Sequence, residues 1–253
     1  MSSTIWTPAA LASEHRHYHG RGWRFVEAQH KVSTLKLVDT LAEQELLEQI
    51  VEETKPNIPP ECQGLDYLLS TPFRYRPEYR SGSRFRRAGF TPGVFYAAER
   101  EETAAAEMVF YRFLFYVESP DTPWPSNPAE YSAIAVQLKT TASLDLTEPP
   151  LSHDEALWCR LTDYAPCQLL AEAAREAGSE IIRYRSVRDP AQGANLAVLT
   201  CRAFAAPEPV ERHTWRIRIN RKGAQAIREF PPLGIEFTVA DFQGDERLKP
   251  LTS

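Results

Sequence analysis

The stretch TPGVFYAAEREETAAAEMVFYRFLFYV, residues 91–117, decides the fold. Thr91-Pro92-Gly93 is a turn signal, and residues 93–98 after it have the composition of a short strand. Residues 101–117 then follow the period of a helix that is apolar nearly all round, with Glu107 and Arg112 as its interior charges. A helix of this kind belongs in a protein core. The stretch therefore predicts a strand that leads directly into a central helix.

Shorter apolar segments around this unit predict the rest of the domain. Strands are expected at 73–76, 132–138, 180–184, 196–199 and 214–219. A further helix is expected at 166–177, with Pro166 in its first turn and Gly178 as its C-terminal cap. Short strands mixed with a few central helices are typical of the α+β class. We therefore predict an α+β body over residues 71–253.

The first 70 residues predict a helical extension. Between Ser33, the expected N-cap, and Lys55, leucines and isoleucines recur at helical spacing, while glutamates populate the other face. Such an acidic amphipathic helix is either a solvated flank or a surface for a homodimer or another partner.

Metal-binding patterns are weak in this chain. His15, His17 and His19 would share one face of a strand, but no carboxylate or cysteine is spaced to complete a metal site, so a polar N-terminal loop explains them better. The four cysteines form no C-x-x-C pair and are expected to be small buried residues. The sequence thus predicts no metal site.

Charge and hydropathy exclude several classes of function. Lys and Arg number 29 against 34 Asp and Glu, so the chain lacks the basic excess of a nucleic-acid-binding protein. Apolar stretches are shorter than the roughly 20 residues of a membrane span, and the first 30 residues lack the apolar core of a signal peptide. We expect a cytoplasmic protein that binds neither nucleic acid nor a membrane.

The basic residues are nevertheless unevenly distributed. Between residues 71 and 90 a cluster of arginines is opposed only by Glu78, and its members are Arg74, Arg76, Arg80, Arg84, Arg86 and Arg87. Guanidinium groups match phosphate oxygens in a bidentate manner, so the cluster fits a phosphate or pyrophosphate ligand. A solvated basic surface explains the composition equally well.

Glu107 and a polar turn are two further candidates for chemistry. Glu107 lies on an apolar helix face, where an unpaired carboxylate is costly. It is therefore either paired with an arginine or held in a pocket to act on a ligand. The turn that includes Ser186, Arg188 and Asn195 joins two apolar strands, and it is either an ordinary connection or a binding loop on a rigid sheet.

The order of these features carries a resemblance. The motifs are Phe73-Arg74-Tyr75, Gly82-Ser83-Arg84-Phe85, Val94-Phe95-Tyr96-Ala97-Ala98, Thr103-Ala104-Ala105-Ala106-Glu107, Tyr184-Arg185-Ser186-Val187-Arg188 and Gly193-Ala194-Asn195-Leu196. Together they resemble the RES domain family, whose members are toxins of RES-Xre toxin-antitoxin pairs. The resemblance extends from about Thr71 to Leu199.

The resemblance implies a fold, an activity and a partner. The fold would be related to that of ADP-ribosyltransferases. The activity would destroy NAD by phosphorolysis or hydrolysis of the nicotinamide-ribose bond, so that NAD is a substrate, inorganic phosphate a possible co-substrate, and no cofactor is needed. The partner would be an antitoxin of the Xre helix-turn-helix type that blocks the toxin.

The resemblance also implies residue roles. The catalytic arginine, glutamate and serine fall on Arg74, Glu107 and Ser186. Substrate-binding residues are expected at Tyr75, Arg84, Tyr96, Arg86, Arg188 and Asn195. Two other functions remain open, namely transfer of ADP-ribose to a macromolecule and binding of a phosphate-containing ligand without turnover.

Overall fold

The computed structural model describes residues 6–27, 37–74, 82–242 and 244–251. Its central strand is β3, Ala129–Asp145. Consecutive apolar side chains are fully buried at its centre, from Ala133 to Val136. Burial of consecutive residues means that both faces of the strand are covered, because side chains alternate between the two faces. β3 is therefore an interior strand, as its apolar run predicts.

The described residues form one eight-stranded sheet, ordered β1-β2-β5-β4-β3-β6-β7-β8. The strands are β1 Arg16–Glu27, β2 Phe95–Ala98, β3, β4 Ile181–Arg185, β5 Ala194–Val198, β6 Glu211–Asn220, β7 Gly223–Arg228 and β8 Leu233–Thr238. β1 also pairs with β3, so the first five strands in this order close into a ring. β3 and β4 run parallel, whereas the other pairs are antiparallel.

Six α-helices surround the sheet in the described part of the chain. They are α1 Pro8–Ser13, α2 Leu41–Thr54, α3 Tyr67–Arg74, α4 Glu101–Glu118, α5 Glu155–Trp158 and α6 Ala165–Glu176. α4 carries one core cluster, in which its Val109, Phe110 and Phe113 pack with Trp215 of β6 and Phe237 of β8. The helix predicted to be apolar nearly all round is thus the central helix of the fold.

The α+β class is confirmed, and most predicted elements of the body are present. The strand and helix of residues 91–117 are β2 and α4, and the second predicted helix is α6. Gly178 ends α6 with a φ of 76°, a conformation that glycine adopts without steric cost. Strands β7 and β8 are additional to the predicted elements and follow the last predicted strand, 214–219.

The N-terminal prediction needs correction. The polar loop expected around His15 to His19 is part of β1, which pairs with β3 over eleven positions from Arg16 to Glu27. The expected helix begins at Leu41, after the N-cap Thr40 in a capping box with Glu43, whereas Ser33 lies outside the described residues. The predicted division of the chain at residue 70 stays a prediction.

Two further expectations are overturned. Phe73 and Arg74 were predicted in a strand, but they end helix α3, and Tyr75 and Arg76 lie outside the described residues. Cys62 and Cys201 are buried as expected, but they are not separate small residues, because a disulfide joins them with Cα atoms 5.4 Å apart.

Two kinds of feature are absent from the described ranges. None of the helices found there has the length and hydropathy to cross a membrane. The same ranges contain no group of three His, Cys, Asp or Glu side chains arranged to hold a metal ion.

Candidate active site

A cavity of about 470 Å³ lies where α4 faces strands β1, β2 and β5. Its charged lining consists of Glu107, the one carboxylate among the described lining residues, and the arginines Arg24, Arg84, Arg188 and Arg247. Its aromatic lining consists of Trp23, Phe25, Tyr96, Tyr111, Tyr164 and Tyr184. Cavities of this size hold small molecules and cofactors. The excess of cationic over anionic side chains favours an anionic ligand, and the aromatic rings offer surfaces for planar groups.

Glu107 is held by two hydrogen bonds to one oxygen. Ser186 Oγ donates to Glu107 Oε1 at 2.7 Å, and Asn195 Nδ2 donates to the same oxygen at 2.6 Å. Ser186 follows β4 directly, and Asn195 lies in β5 opposite Tyr184. Both donors bind Oε1. The other oxygen, Oε2, receives no hydrogen bond from the described residues. The carboxylate is oriented, and one of its oxygens is available to a ligand.

The turn after β4 fixes Ser186. Its hydroxyl oxygen accepts the backbone N–H groups of Arg188 and Asp189 at 3.2 and 3.0 Å, and its own N–H donates to the carbonyl oxygen of Gly193 at 2.8 Å. Ser186 is 1% exposed, and both its hydroxyl and its backbone N–H are hydrogen-bonded, so its side chain has little rotational freedom. The hydroxyl proton is therefore directed to Glu107.

Asp189 ties this turn to helix α4. Its Oδ2 accepts from Thr103 Oγ1 at 2.7 Å and from the Gly193 N–H at 3.1 Å. Thr103 lies one helical turn before Glu107, so the two side chains share a face of α4. A Cβ at Gly193 would lie 2.1 Å from Thr103 Oγ1, which explains why glycine occupies this position. The turn and the helix thus form one rigid unit.

Tyr96 and Arg84 form the opposite wall. Tyr96 Oη lies 2.7 Å from Ser83 Oγ and accepts the Phe85 N–H at 3.0 Å. Burial raises the pKa of Tyr96 to about 12, so its hydroxyl is neutral at physiological pH. Arg84 Nη1 donates to the carbonyl oxygens of Trp158 and Arg160 at 2.7 and 2.9 Å. The guanidinium of Arg84 is thereby anchored before any ligand arrives.

The third wall carries Arg188 and Arg247, which share Asp245. Arg188 Nη1 lies 2.6 Å from Asp245 Oδ2, and Arg247 Nη2 lies 2.8 Å from the same atom. The Arg188 guanidinium also stacks on Phe110, with its Cζ 3.9 Å from the ring centroid. Two cations share one carboxylate, so this wall keeps one net positive charge.

The pKa values of three tyrosine hydroxyls in the cavity depend on burial and on the charges nearby. Burial and then the charge of Glu107 raise the pKa of Tyr184 well above its usual value. Burial also raises the pKa of Tyr111, with Tyr164 and Glu107 adding to the effect. Burial acts in the same direction on Tyr164, but the charges of nearby arginines outweigh it and lower the pKa of Tyr164. The charge of Glu107 therefore raises the pKa of its tyrosine neighbours, whereas the arginines lower that of Tyr164.

The structure brings together six of the nine predicted site residues. Glu107, Arg84, Tyr96, Arg188 and Asn195 line the cavity, and Ser186 is bonded to Glu107.

The other three predicted residues do not join this group. Arg74 forms an ion pair with Glu52 and is not on the cavity wall. Arg86 is buried, but its side chain does not line the cavity either. Tyr75 lies outside the described residues.

Several lining residues were missed by the sequence analysis. Tyr111 carries a signal that could have identified it, because it lies one helical turn after Glu107. Arg24 and Trp23 belong to β1, of which only the first residues, up to His19, were predicted as a loop, and Arg247 belongs to the C-terminal tail, to which no function was assigned. Nothing local in the sequence marks these three as neighbours of Glu107.

Comparisons with known proteins identify a family and one similar solved structure. A family model described as the RES domain matches residues 58–220. A search of curated proteins finds no match. Among solved structures, the chain is similar to one in the crystal structure of the M. tuberculosis MbcT-MbcA toxin-antitoxin complex, with 15% identity and a TM-score of 0.45 over 92% of this chain and 95% of that chain.

Proposed function

Because the chain belongs to the RES domain family, we propose that it is an enzyme that cleaves the nicotinamide-ribose bond of NAD and transfers ADP-ribose to inorganic phosphate or water. In the cell it would be the toxin of a type II toxin-antitoxin pair. The observation that carries the proposal is the carboxylate of Glu107, oriented by Ser186 and Asn195 in a cavity whose other charged lining residues are arginines.

The chemistry of the bond explains why a fixed carboxylate suits this reaction. In NAD the nicotinamide nitrogen is positively charged. When its bond to C1′ of the ribose breaks, the electron pair stays with nitrogen, nicotinamide leaves neutral, and the ribose gains oxocarbenium character. Charge stabilisation at a position fixed before the reaction is a large source of catalysis. Glu107 Oε2 would hold a ribose hydroxyl or face the developing cation.

The acceptor completes the reaction. An oxygen of phosphate bonds to this ribose carbon, which is C1″ in the numbering of ADP-ribose, and gives ADP-ribose 1″-phosphate. Alternatively, water bonds to the same carbon, loses a proton and gives ADP-ribose. The pyrophosphate of NAD would bind to Arg84 and to Arg24, which lines the cavity from β1. Arg24 would act in place of Arg74, the predicted catalytic arginine, which pairs with Glu52 and is not on the cavity wall. The ring of Tyr96, also on the wall, would stack on the nicotinamide.

The test is incubation of the purified chain with NAD, with and without phosphate, followed by measurement of nicotinamide and of the product mass. We expect nicotinamide release, and a product one phosphate heavier than ADP-ribose if phosphate is the acceptor. Glu107→Gln should lose turnover, because the amide is neutral. Glu118→Gln is the matched control, since Glu118 lies exposed at the end of the same helix.

Three results would overturn parts of the proposal. Unchanged NAD consumption by folded Glu107→Gln would remove Glu107 from the mechanism. Transfer of labelled ADP-ribose from NAD to a protein or nucleic acid would indicate a macromolecular ADP-ribosyltransferase. Intact NAD recovered from the wild-type protein would indicate a binding module without turnover.

We also propose an antitoxin of the Xre type and a homodimer as partners. Helix α2 supports a contact surface, because its Leu41, Leu46 and Ile50 are 75%, 57% and 49% exposed. Sedimentation velocity of the chain alone tests the homodimer, and a monomer at all concentrations would refute it. A helix-turn-helix protein that binds the chain without blocking NAD turnover would refute the antitoxin proposal.

A further inference from the structure

The C-terminal segment 244–251 completes the cavity although it lies outside the range that the family model matches. That range ends at residue 220, whereas Arg247 is one of the lining residues. The segment packs on helix α4, where the Arg247 guanidinium lies 5.3 Å from the centroid of the Phe110 ring and Leu248 is fully buried. A residue from this segment is therefore a fixed part of the wall.

Asp245 orients the Arg247 side chain. Arg247 Nε and Nη2 donate to Asp245 Oδ1 and Oδ2 at 3.0 and 2.8 Å, a bidentate pair that sets the plane of the guanidinium. The Asp245 and Arg188 side chains are 1% and 3% exposed, whereas that of Arg247 is 30% exposed. Of the two cations that share Asp245, Arg247 is the more exposed.

The residues around Arg247 favour a negatively charged group beside Tyr164. Tyr164 lies under the Arg84 guanidinium, whose Cζ is 4.7 Å from the ring centroid, and its hydroxyl interacts with Arg188 and Arg247. The charges of these three arginines lower the pKa of Tyr164 against the opposite effect of burial. A polar group near Tyr164 is thus close to three arginines, and Asp245 is the one carboxylate of the described residues that forms an ion pair with any of them.

We propose that Arg247 binds phosphate oxygens in the part of the cavity next to Tyr164, as a substrate-positioning cation supplied by the C-terminal segment. The guanidinium edge that Asp245 leaves open matches two oxygens of a phosphate group. Such oxygens belong either to the pyrophosphate of the dinucleotide or to an inorganic phosphate acceptor. This inference rests on the proposed function for its choice of ligand.

The experiment measures binding without turnover, so its result is independent of whether NAD is cleaved. ADP-ribose and inorganic phosphate are titrated separately into the purified chain by calorimetry. The variants are Arg247→Gln, which removes the charge, and Arg247→Lys, which keeps the charge and loses the bidentate geometry. Arg218→Gln is the matched control, because Arg218 is exposed on β6 and does not line the cavity.

We expect Arg247→Gln to weaken binding of at least one probe by roughly tenfold to a hundredfold, the range of a lost charge-assisted hydrogen bond, and Arg247→Lys to lie between it and the wild type. A loss confined to ADP-ribose would assign the site to the pyrophosphate, and a loss confined to phosphate would assign it to the acceptor. Arg218→Gln should bind both probes as the wild type does.

The inference is overturned if Arg247→Gln remains folded by circular dichroism and binds both probes with wild-type affinity. Arg247→Lys guards against loss of the C-terminal packing, because a lysine keeps an apolar stem against Phe110. NAD turnover by the wild type is measured in parallel. Absent turnover together with weakened binding in Arg247→Gln would refute the proposed enzyme and leave the anion site in place.

Discussion

Replacement of Ser186 by alanine tests how the candidate site is built. The hydroxyl donates to Glu107 at 2.7 Å and accepts two backbone N–H groups at 3.2 and 3.0 Å. Alanine removes all three hydrogen bonds while it keeps the Cβ. Asn195 continues to donate to Glu107, so the carboxylate keeps one of its two partners.

The expected magnitudes follow from these contacts. A hydrogen bond to a charged acceptor contributes about 1.5–3 kcal/mol, and a buried donor left without an acceptor costs about 1–3 kcal/mol. Since the two N–H groups share one acceptor, we expect the free energy of unfolding to fall by about 2–4 kcal/mol. Domains are stable by about 5–15 kcal/mol, so Ser186→Ala should stay folded at 25 °C. Misorientation of Glu107 should lower kcat by roughly tenfold to a hundredfold.

The assay combines urea denaturation with steady-state NAD turnover. We expect Ser186→Ala to lower kcat much more than it raises KM, because Ser186 acts on the position of Glu107. Ser132→Ala is the control, since Ser132 is a half-buried serine of β3 whose hydroxyl makes no hydrogen bond within the described residues. Stability within 0.5 kcal/mol of the wild type, on the order of a neutral surface change, would refute the hydrogen-bonding account. Lost stability with unchanged kcat would refute the positioning role.

Three further predictions concern the supports of the site. Gly193→Ala places a Cβ 2.1 Å from Thr103 Oγ1, so we expect a loss of about 2 kcal/mol or more in urea denaturation, and a wild-type midpoint would contradict the geometry. Burial raises the pKa of Asp245, but hydrogen bonds and charges of its arginine partners outweigh burial and lower that pKa from 3.8. Its contribution to stability is therefore present above about pH 4 and lost as the pH falls through the folded-state pKa. The stability difference between wild type and Asp245→Asn should shrink below pH 4, and a constant difference would show that the carboxylate charge is not involved. Reduction of the Cys62–Cys201 disulfide, which spans 139 residues, should cost about 2–5 kcal/mol. Alkylation of the unreduced, denatured chain should label two of the four cysteines, and labelling of all four would exclude the bond.

The central helix and the turn after β4 could be predicted because their signals are local. Residues 101–117 have a helical period over nearly five turns, and this places Glu107 and Tyr111 on one face. The turn that includes Ser186 is bounded by two apolar runs that could only be strands. Even so, the hydrogen bonds from Ser186 and Asn195 to Glu107 join residues 79 and 88 positions apart, and no local pattern encodes them.

Strand β1 could not be predicted from its own composition. Its sequence RHYHGRGWRFVE has two histidines, three arginines and two glycines, which are typical of a loop. It is a strand because the edge of β3 offers a partner for it along most of its length. Pairing with a buried strand overrides weak local propensity. The same pairing brings Arg24 to the cavity, whereas Arg74, the predicted catalytic arginine, does not line it.

By itself the sequence determined the α+β class, the central helix with its single interior carboxylate, and the motifs of the RES family. Those properties depend on periodicity and on the order of residue types, which are local or one-dimensional. Only the tertiary structure decided that β1 closes the ring of strands, that Arg24 and Arg247 face Glu107's cavity, and that Arg74 does not. The physical reason is that an arginine's role depends on which carboxylate pairs with it, and Glu52 reaches Arg74, and Asp245 reaches Arg188, only through tertiary packing.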